Sequence, residues 1–247
     1  MLKKLSLAAL IFFTVWFTNS ACKKSSTTTG GGGNGNTTNP NITPTNATDF
    51  YAFLSYTKDQ NINLGSSTIY TGYQANAVFD SLPMPINFNN WPLITVDSVF
   101  FNNVICPLDT SSKNYNCFQP DSICYWRVVG NSKVHSFSFT KNNGMAVYTN
   151  YNLLPDTIDH THPITFPINV TNADDLVVIL NMNGTGPIDT LAHGATSATF
   201  SVAQMSVGHT GLGSILVQNS NYYNYNVFGK PMQFAFFYYF EKQVYFK

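Results

Sequence analysis

Charge is scarce in this 247-residue chain: Asp, Glu, Lys and Arg make up only 10% of it, with 12 basic and 12 acidic residues. Arg127 is the only arginine and Glu241 the only glutamate. Neutralising a phosphate backbone takes a surplus of Lys and Arg, so the balance excludes nucleic acid as a partner. Coiled coils and acidic disordered tails need more charge than this as well. Catalytic signatures are missing too. There is no GxxxxGK(S/T), no GxSxG, no HExxH and no GxGxxG behind a strand. No cofactor is implied, and the chain reads as non-enzymatic. Apolar residues at three- and four-residue spacing with caps are also lacking, so helices should be few.

What charge there is has an uneven distribution. Lys3, Lys4, Lys23 and Lys24 account for four of the basic residues, so beyond residue 24 the count is 8 − 12 = −4. Met1–Lys4 is a short basic start, Leu5–Phe17 an apolar run, and Thr18–Cys22 a stretch of small residues. Thirteen residues are too few for a permanent span, which needs about 20, and the order fits an export signal. Ser20-Ala21-Cys22 resembles the lipobox of bacterial lipoproteins, with Asn19 where that family usually has Leu. The resemblance implies cleavage after residue 21 and acylation of Cys22; an ordinary signal peptide with an incidental Cys is the alternative. Lys23-Lys24 provides no acidic retention signal, which directs the expectation to the bacterial outer membrane, periplasmic or surface-facing.

Behind Cys22 lies a segment with little to bury. Ser, Thr, Gly and Asn fill 20 of the 24 positions in 25–48, and Pro two more. Such a chain cannot offset the entropy of ordering itself. Residues 22–48 are therefore expected to be a flexible tether between a lipid anchor and a folded part.

The remainder reads as β-structure. Ile69, Tyr73, Ala75, Ala77 and Phe79 alternate with Thr68, Gln74 and Asn76; His135, Phe137 and Phe139 alternate with Ser136, Ser138 and Thr140. A period of two over these lengths means half-buried strands. Further strands are expected in Leu93–Ile105, Ile123–Gly130, Ile164–Val170, Leu176–Met182, Thr196–Ala203, Ser214–Asn219 and Met232–Phe240. Turn formers separate them, among them Asn142-Asn143-Gly144 and Gly211-Leu212-Gly213. The polar segment Pro155–Pro163 divides the folded part at its middle. Residues 49–155 and 156–247 are then each near the ~100 residues of an immunoglobulin-like sandwich. Pro163–Phe166 and Asp174-Asp175, each ahead of or opening an apolar strand, resemble a bacterial Ig-like module. The expected fold class is all-β, two Ig-like β-sandwich domains, with a single larger sandwich as the alternative.

Several residues invite a functional reading. Cys106 and Cys117 bracket a polar loop and are expected to pair, while Cys124 shares an inward face with Trp126 and Val128 as a buried thiol. His160 and His162, two apart beside Asp159, would point the same way in an extended strand and could bridge a metal. A polar linker with two solvated imidazoles is the plainer account. Asp-(Ser/Thr)-aliphatic triplets recur at Ser81, Ser98, Ser122, Thr157 and Thr190. They resemble the O-glycosylation signal of proteins exported by some diderm bacteria; turn chemistry ahead of a strand is the competing explanation. Tyr222, Tyr223 and Tyr225, interleaved with Asn in Asn221–Asn226, are expected to form an aromatic loop. Rings and amides together suit sugars or peptides. The expectation is a lipid-anchored binding module for a glycan or an envelope protein. A structural subunit of an envelope complex and a hydrolase are the rivals.

Overall fold

The computed structural model describes residues 42–247 apart from 86–91, 121–122, 142, 174, 183, 193 and 207–209. In chain order the strands begin with β1 (Ile42–Pro44), β2 (Asp49–Ile62), β3 (Ile69–Pro85), β4 (Leu93–Ile94), β5 (Ser98–Phe101) and β6 (Val104–Cys106). There follow β7 (Leu108–Asp109), β8 (Asn114–Cys117), β9 (Tyr125–Val129), β10 (Phe137–Thr140), β11 (Val147–Tyr148), β12 (Thr157–Ile158) and β13 (Ile164–Pro167). The series closes with β14 (Val170–Thr171), β15 (Asp175–Asn181), β16 (Ile188–Leu191), β17 (Ser197–Phe200), β18 (Gly211–Val227) and β19 (Lys230–Phe246). The fold is all-β, as its alternation predicts. One helical turn, Val202–Met205, interrupts the strand expected to reach residue 203. Ser201 and Gln204 form a capping box there, Ser201 accepting from Gln204 N and Gln204 accepting from Ser201 N.

A long sheet organises the molecule, with strand order β16-β15-β18-β19-β2-β3-β8-β7. Its spine is the β18–β19 hairpin, in register from Gly211↔Phe246 to Val227↔Lys230. Phe228 (φ 51°) and Gly229 (φ 77°) join the two strands. Positive φ at both central positions gives a turn whose twist matches the strands it joins. Gly211-Leu212-Gly213 is thus the start of a strand and not a turn. The glycine at 213 has a packing reason, since a Cβ there would lie 2.3 Å from Asn181 O and 2.6 Å from the Phe246 ring.

β19 also pairs in parallel with β2, from Met232↔Ala52 to Lys242↔Ile62. The expected division between residues 155 and 156 therefore falls within one hydrogen-bonded sheet. The segment read as a linker is docked: β12 runs parallel to the end of β19, and Ile158 is fully buried. Lys242 Nζ reaches both the Asp156 carboxylate (2.9 Å) and Leu154 O (2.5 Å). The tether likewise ends earlier than expected. Ile42, its one large apolar residue, is buried, and β1 pairs with Tyr225–Val227. Burial of that side chain offsets part of the entropy of ordering its neighbours.

A second sheet, in order β10-β9-β5-β6, packs on one face of the long sheet. Phe139 of β10 stacks on Phe234 with centroids 4.0 Å apart, and Phe101 of β5 stacks on Tyr56 at 4.5 Å. The small pair β11–β14 also meets the long sheet, with Tyr148 edge-on to Phe240 at 5.1 Å, and the pair β13–β17 contributes Phe166 and Phe200 to the same core. A single core cluster runs from Ala52 and Phe79 through Trp126 and Phe139 to Phe240 and Phe246. Cys124, Trp126 and Val128 lie inside it as their alternation predicts. His135 departs from its expected inward position: it is exposed, with its ring 4.5 Å from Phe228.

Candidate ligand-binding surface

Strand geometry separates the three tyrosines expected to act together. Asn221–Asn226 lies within β18 rather than in a loop, and successive side chains of a strand point to opposite faces. Tyr223 and Tyr225 turn inward against Phe139 (5.9 and 5.6 Å), with Tyr223 edge-on to Phe236 and Tyr225 to Phe234. Tyr222 stands alone of the three on the outer face of the long sheet, 47% exposed.

On that face Tyr222 acquires different partners. Its ring meets Phe237 edge-on at 5.7 Å, and Phe237 stacks with Tyr239 at 6.3 Å. Phe237 is buried between two more accessible rings. Register places Gln218 and Asp59 on either side of Tyr239, and Ser220 and Thr57 on either side of Phe237. Gln74 lies one strand further, opposite Thr57, and Glu241 follows Tyr239 on the same face of β19. The outcome is a row of aromatic rings bordered by amides, hydroxyls and two carboxylates. The sequence shows Phe237 and Tyr239 only as part of an aromatic run and Glu241 only as the sole glutamate, and marks Asp59 in no way; the pairing register alone brings the four to Tyr222.

The electrostatics tie the group together. Burial pushes the Tyr239 hydroxyl up from its ordinary value, and the Tyr222 hydroxyl and the Asp59 carboxyl push it further. Asp59 is raised from 3.8 to about 6, first by burial and then by the negative charge of Glu241. A carboxyl with a raised folded-state pKa holds its proton more tightly folded than unfolded. Its contribution to stability is therefore full below about 3.8 and is lost as pH rises through about 6. Asp59→Asn should remove that decline. Because Asp59 keeps exposed surface, the gain above pH 6 should be on the order of 1 kcal/mol. Urea midpoints of both proteins at pH values of roughly 4 and 8 check this; an equal pH dependence in the two would disprove the assignment.

The other sequence-predicted positions are dispersed. Cys106 and Cys117 form a disulfide, with Cα atoms 4.7 Å apart, and Cys124 is a buried thiol outside it. His160 and His162 lie in a turn closed by His162 N donating to Asp159 O (3.2 Å), so extended-strand spacing does not apply to them. His162 Nδ1 lies 3.3 Å from the Asp159 carboxylate, which hydrogen bonds from Thr161 hold below its usual range. Among the described residues no three His, Cys, Asp or Glu side chains gather as a metal-ligand set. Ser81, Thr157 and Thr190 are exposed and Ser98 is half-buried. Asp80 and Asp189 lie inside β3 and β16; Asp80 still accepts from Leu82 N two residues on (3.1 Å), the bond of turn chemistry, whereas Asp189 accepts from Thr199 N of β17 (3.4 Å). Cys22 and Ser122 fall outside the described residues.

On the inner side, Lys141, Asn143, Asn172, Asn221 and Tyr223 line a cavity of about 310 Å³. Its amides are largely engaged in holding the fold: Asn221 donates to Asn172 O (3.2 Å) and Asn172 to Met145 O (3.3 Å).

No protein-family model matches the chain, and no curated protein matches it. Among solved structures, one of a 1.5-MDa bacterial ice-binding adhesin, described in connection with its retention at the host cell surface, aligns at 11% identity. The alignment covers 78% of this chain and 64% of that one, with a TM-score of 0.21.

Proposed function

We propose that this protein is a lipid-anchored, non-catalytic binding module of the bacterial envelope whose ligand is a glycan. The reading is carried by the row Tyr222–Phe237–Tyr239 on the outer face of the long sheet, in which Tyr222 and Tyr239 are accessible and Phe237 is the buried base between them, with Gln218, Ser220 and Gln74 beside it. Aromatic faces supply stacking area for the C–H side of a sugar ring, and a Tyr hydroxyl at the ring edge adds a hydrogen bond. Flanking amides and hydroxyls match the mixed donors and acceptors of sugar hydroxyls. A carboxylate such as Asp59 can accept two of them.

Binding of the purified chain to a glycan array tests this. Tyr222→Ala and Tyr239→Ala should each weaken the strongest interaction about tenfold, in line with the loss of one stacked ring. Unchanged binding in both variants would end the proposal. The anchor is tested separately. Cys22→Ala should move the protein from the membrane pellet to the soluble fraction, since acyl chains contribute about 0.8 kcal/mol per buried methylene. Retention in the pellet would refute the anchor while leaving the platform standing.

A further inference from the structure

The outer face of the second sheet carries the chain's only arginine in an unusual state. Arg127 sits at the middle of β9, between Phe100 of β5 and Ser138 of β10, with Ile105 of β6 beyond Phe100. Its guanidinium lies over the Phe100 ring, 3.8 Å from the centroid. Among the described residues it meets no carboxylate and makes no hydrogen bond. The guanidinium rests on the ring, and its N–H donors are unengaged among the described residues. A planar fork held in this way is suited to a carboxylate, which it grips through two parallel hydrogen bonds.

The surroundings decide what brings the carboxylate. Ile105 is 57% exposed, and Phe100, Tyr125 and Val129 are half-buried around the arginine. The Asn102 amide at this edge is already occupied: it donates to Pro120 O (3.0 Å) and accepts from Tyr125 N (2.9 Å). Sugar recognition would need such amides to be available. An arginine with Phe100, Tyr125, Val129 and the exposed Ile105 around it, and only the Ser138 hydroxyl on its β10 side, is instead the make-up of a protein–protein hot spot. We propose that this face docks an acidic segment of a partner protein, with an Asp or Glu carboxylate seated on the Phe100-stacked guanidinium of Arg127 and aliphatic neighbours lying on Ile105 and Val129. This surface is separate from the tyrosine row of the long sheet, and neither proposal depends on the other.

The single arginine makes the test direct, because [15N]arginine labelling of the full chain yields one Nε–Hε resonance. The probes are the peptide acetyl-Val-Glu-Val-Glu-Val-amide, its Gln counterpart, and oligogalacturonate as a carboxylate carried on sugar. The Glu peptide should shift the resonance saturably, with a Kd about tenfold below that of the Gln peptide. Oligogalacturonate should leave the resonance in place. Arg127→Lys, followed through the Val129 amide, should bind the Glu peptide about fivefold more weakly because the fork is lost. Equal Kd values for the two peptides would overturn the proposal, as would no shift with the Glu peptide up to roughly 10 mM. Tighter binding of oligogalacturonate than of the peptide, or full affinity in Arg127→Lys, would overturn it too.

Discussion

Residues 49–155 and 156–247, produced as separate chains, are expected not to fold. Each half would lose its share of the β2–β19 pairing, eleven residue positions from Met232↔Ala52 to Lys242↔Ile62. The first half would expose Phe137 and Phe139, whose ring partner Phe234 lies in the second, and the second would expose Phe234, Phe236, Tyr238 and Phe240, all buried in the intact chain. Bare β2 and β19 edges beside apolar faces are aggregation templates, so each half should be recovered mainly as insoluble material. Co-expression of the halves should restore a soluble complex, because the covalent link at 155–156 lies next to β12, which β19 holds in place. The measurements are solubility, and thermal unfolding by near-ultraviolet circular dichroism. A cooperative transition in residues 49–155 alone would show that a separate sandwich exists after all. The same topology bears on kinetics. A central parallel pair joining the first long strand to the last must close a very long loop before it gains any contact, which predicts slow folding.

The strands themselves were legible wherever one face is buried and the other wet. Ile69–Ala77 alternates because its even and odd positions meet different surroundings, and there the pattern agrees with observed burial. Met232–Phe240 lacks alternation because both faces of β19 are occupied at the centre of the sheet. Phe234 and Phe236 lie in the main core, and Ala235 and Phe237 in a second cluster with Phe53 and Val78. From sequence that run marks a buried strand and names no neighbour. Pairing was therefore the hidden quantity. Nothing local in β2 states that its partner is 180 residues away and parallel. The hairpin turn was obscured for a chemical reason: Phe228 occupies a left-handed conformation in which Asn, Asp or Gly is customary.

The candidate site shows the same division. The disulfide was visible because Cys106 and Cys117 bracket a short loop, and loop closure is local. The tyrosine cluster was visible as composition and misleading as geometry, since a loop would have kept Tyr222, Tyr223 and Tyr225 together and a strand divides them. Asp59 stayed hidden until register set it opposite Tyr239. Arg127 was conspicuous as the only arginine, but its meaning depended on Phe100 lying across from it.

Phe139→Ala is expected to be the most damaging single substitution at the junction of the two sheets. The side chain is 2% exposed and sits where β10 meets the β18–β19 hairpin. Its ring stacks on Phe234 at 4.0 Å, with Tyr225, Tyr223 and Phe236 at 5.6, 5.9 and 6.2 Å. Removing it leaves a cavity walled by four rings that strand pairing prevents from collapsing inward. A buried Phe→Ala change of this kind costs about 3–5 kcal/mol. For a folded unit of about 200 residues that corresponds to a fall in Tm of roughly 10 °C. Phe139→Leu, which keeps most of the volume, should cost well under half as much. Differential scanning calorimetry of the three proteins distinguishes the alternatives. One core predicts a single transition that moves as a whole, whereas independent sandwiches predict two, with only the one containing residue 139 displaced.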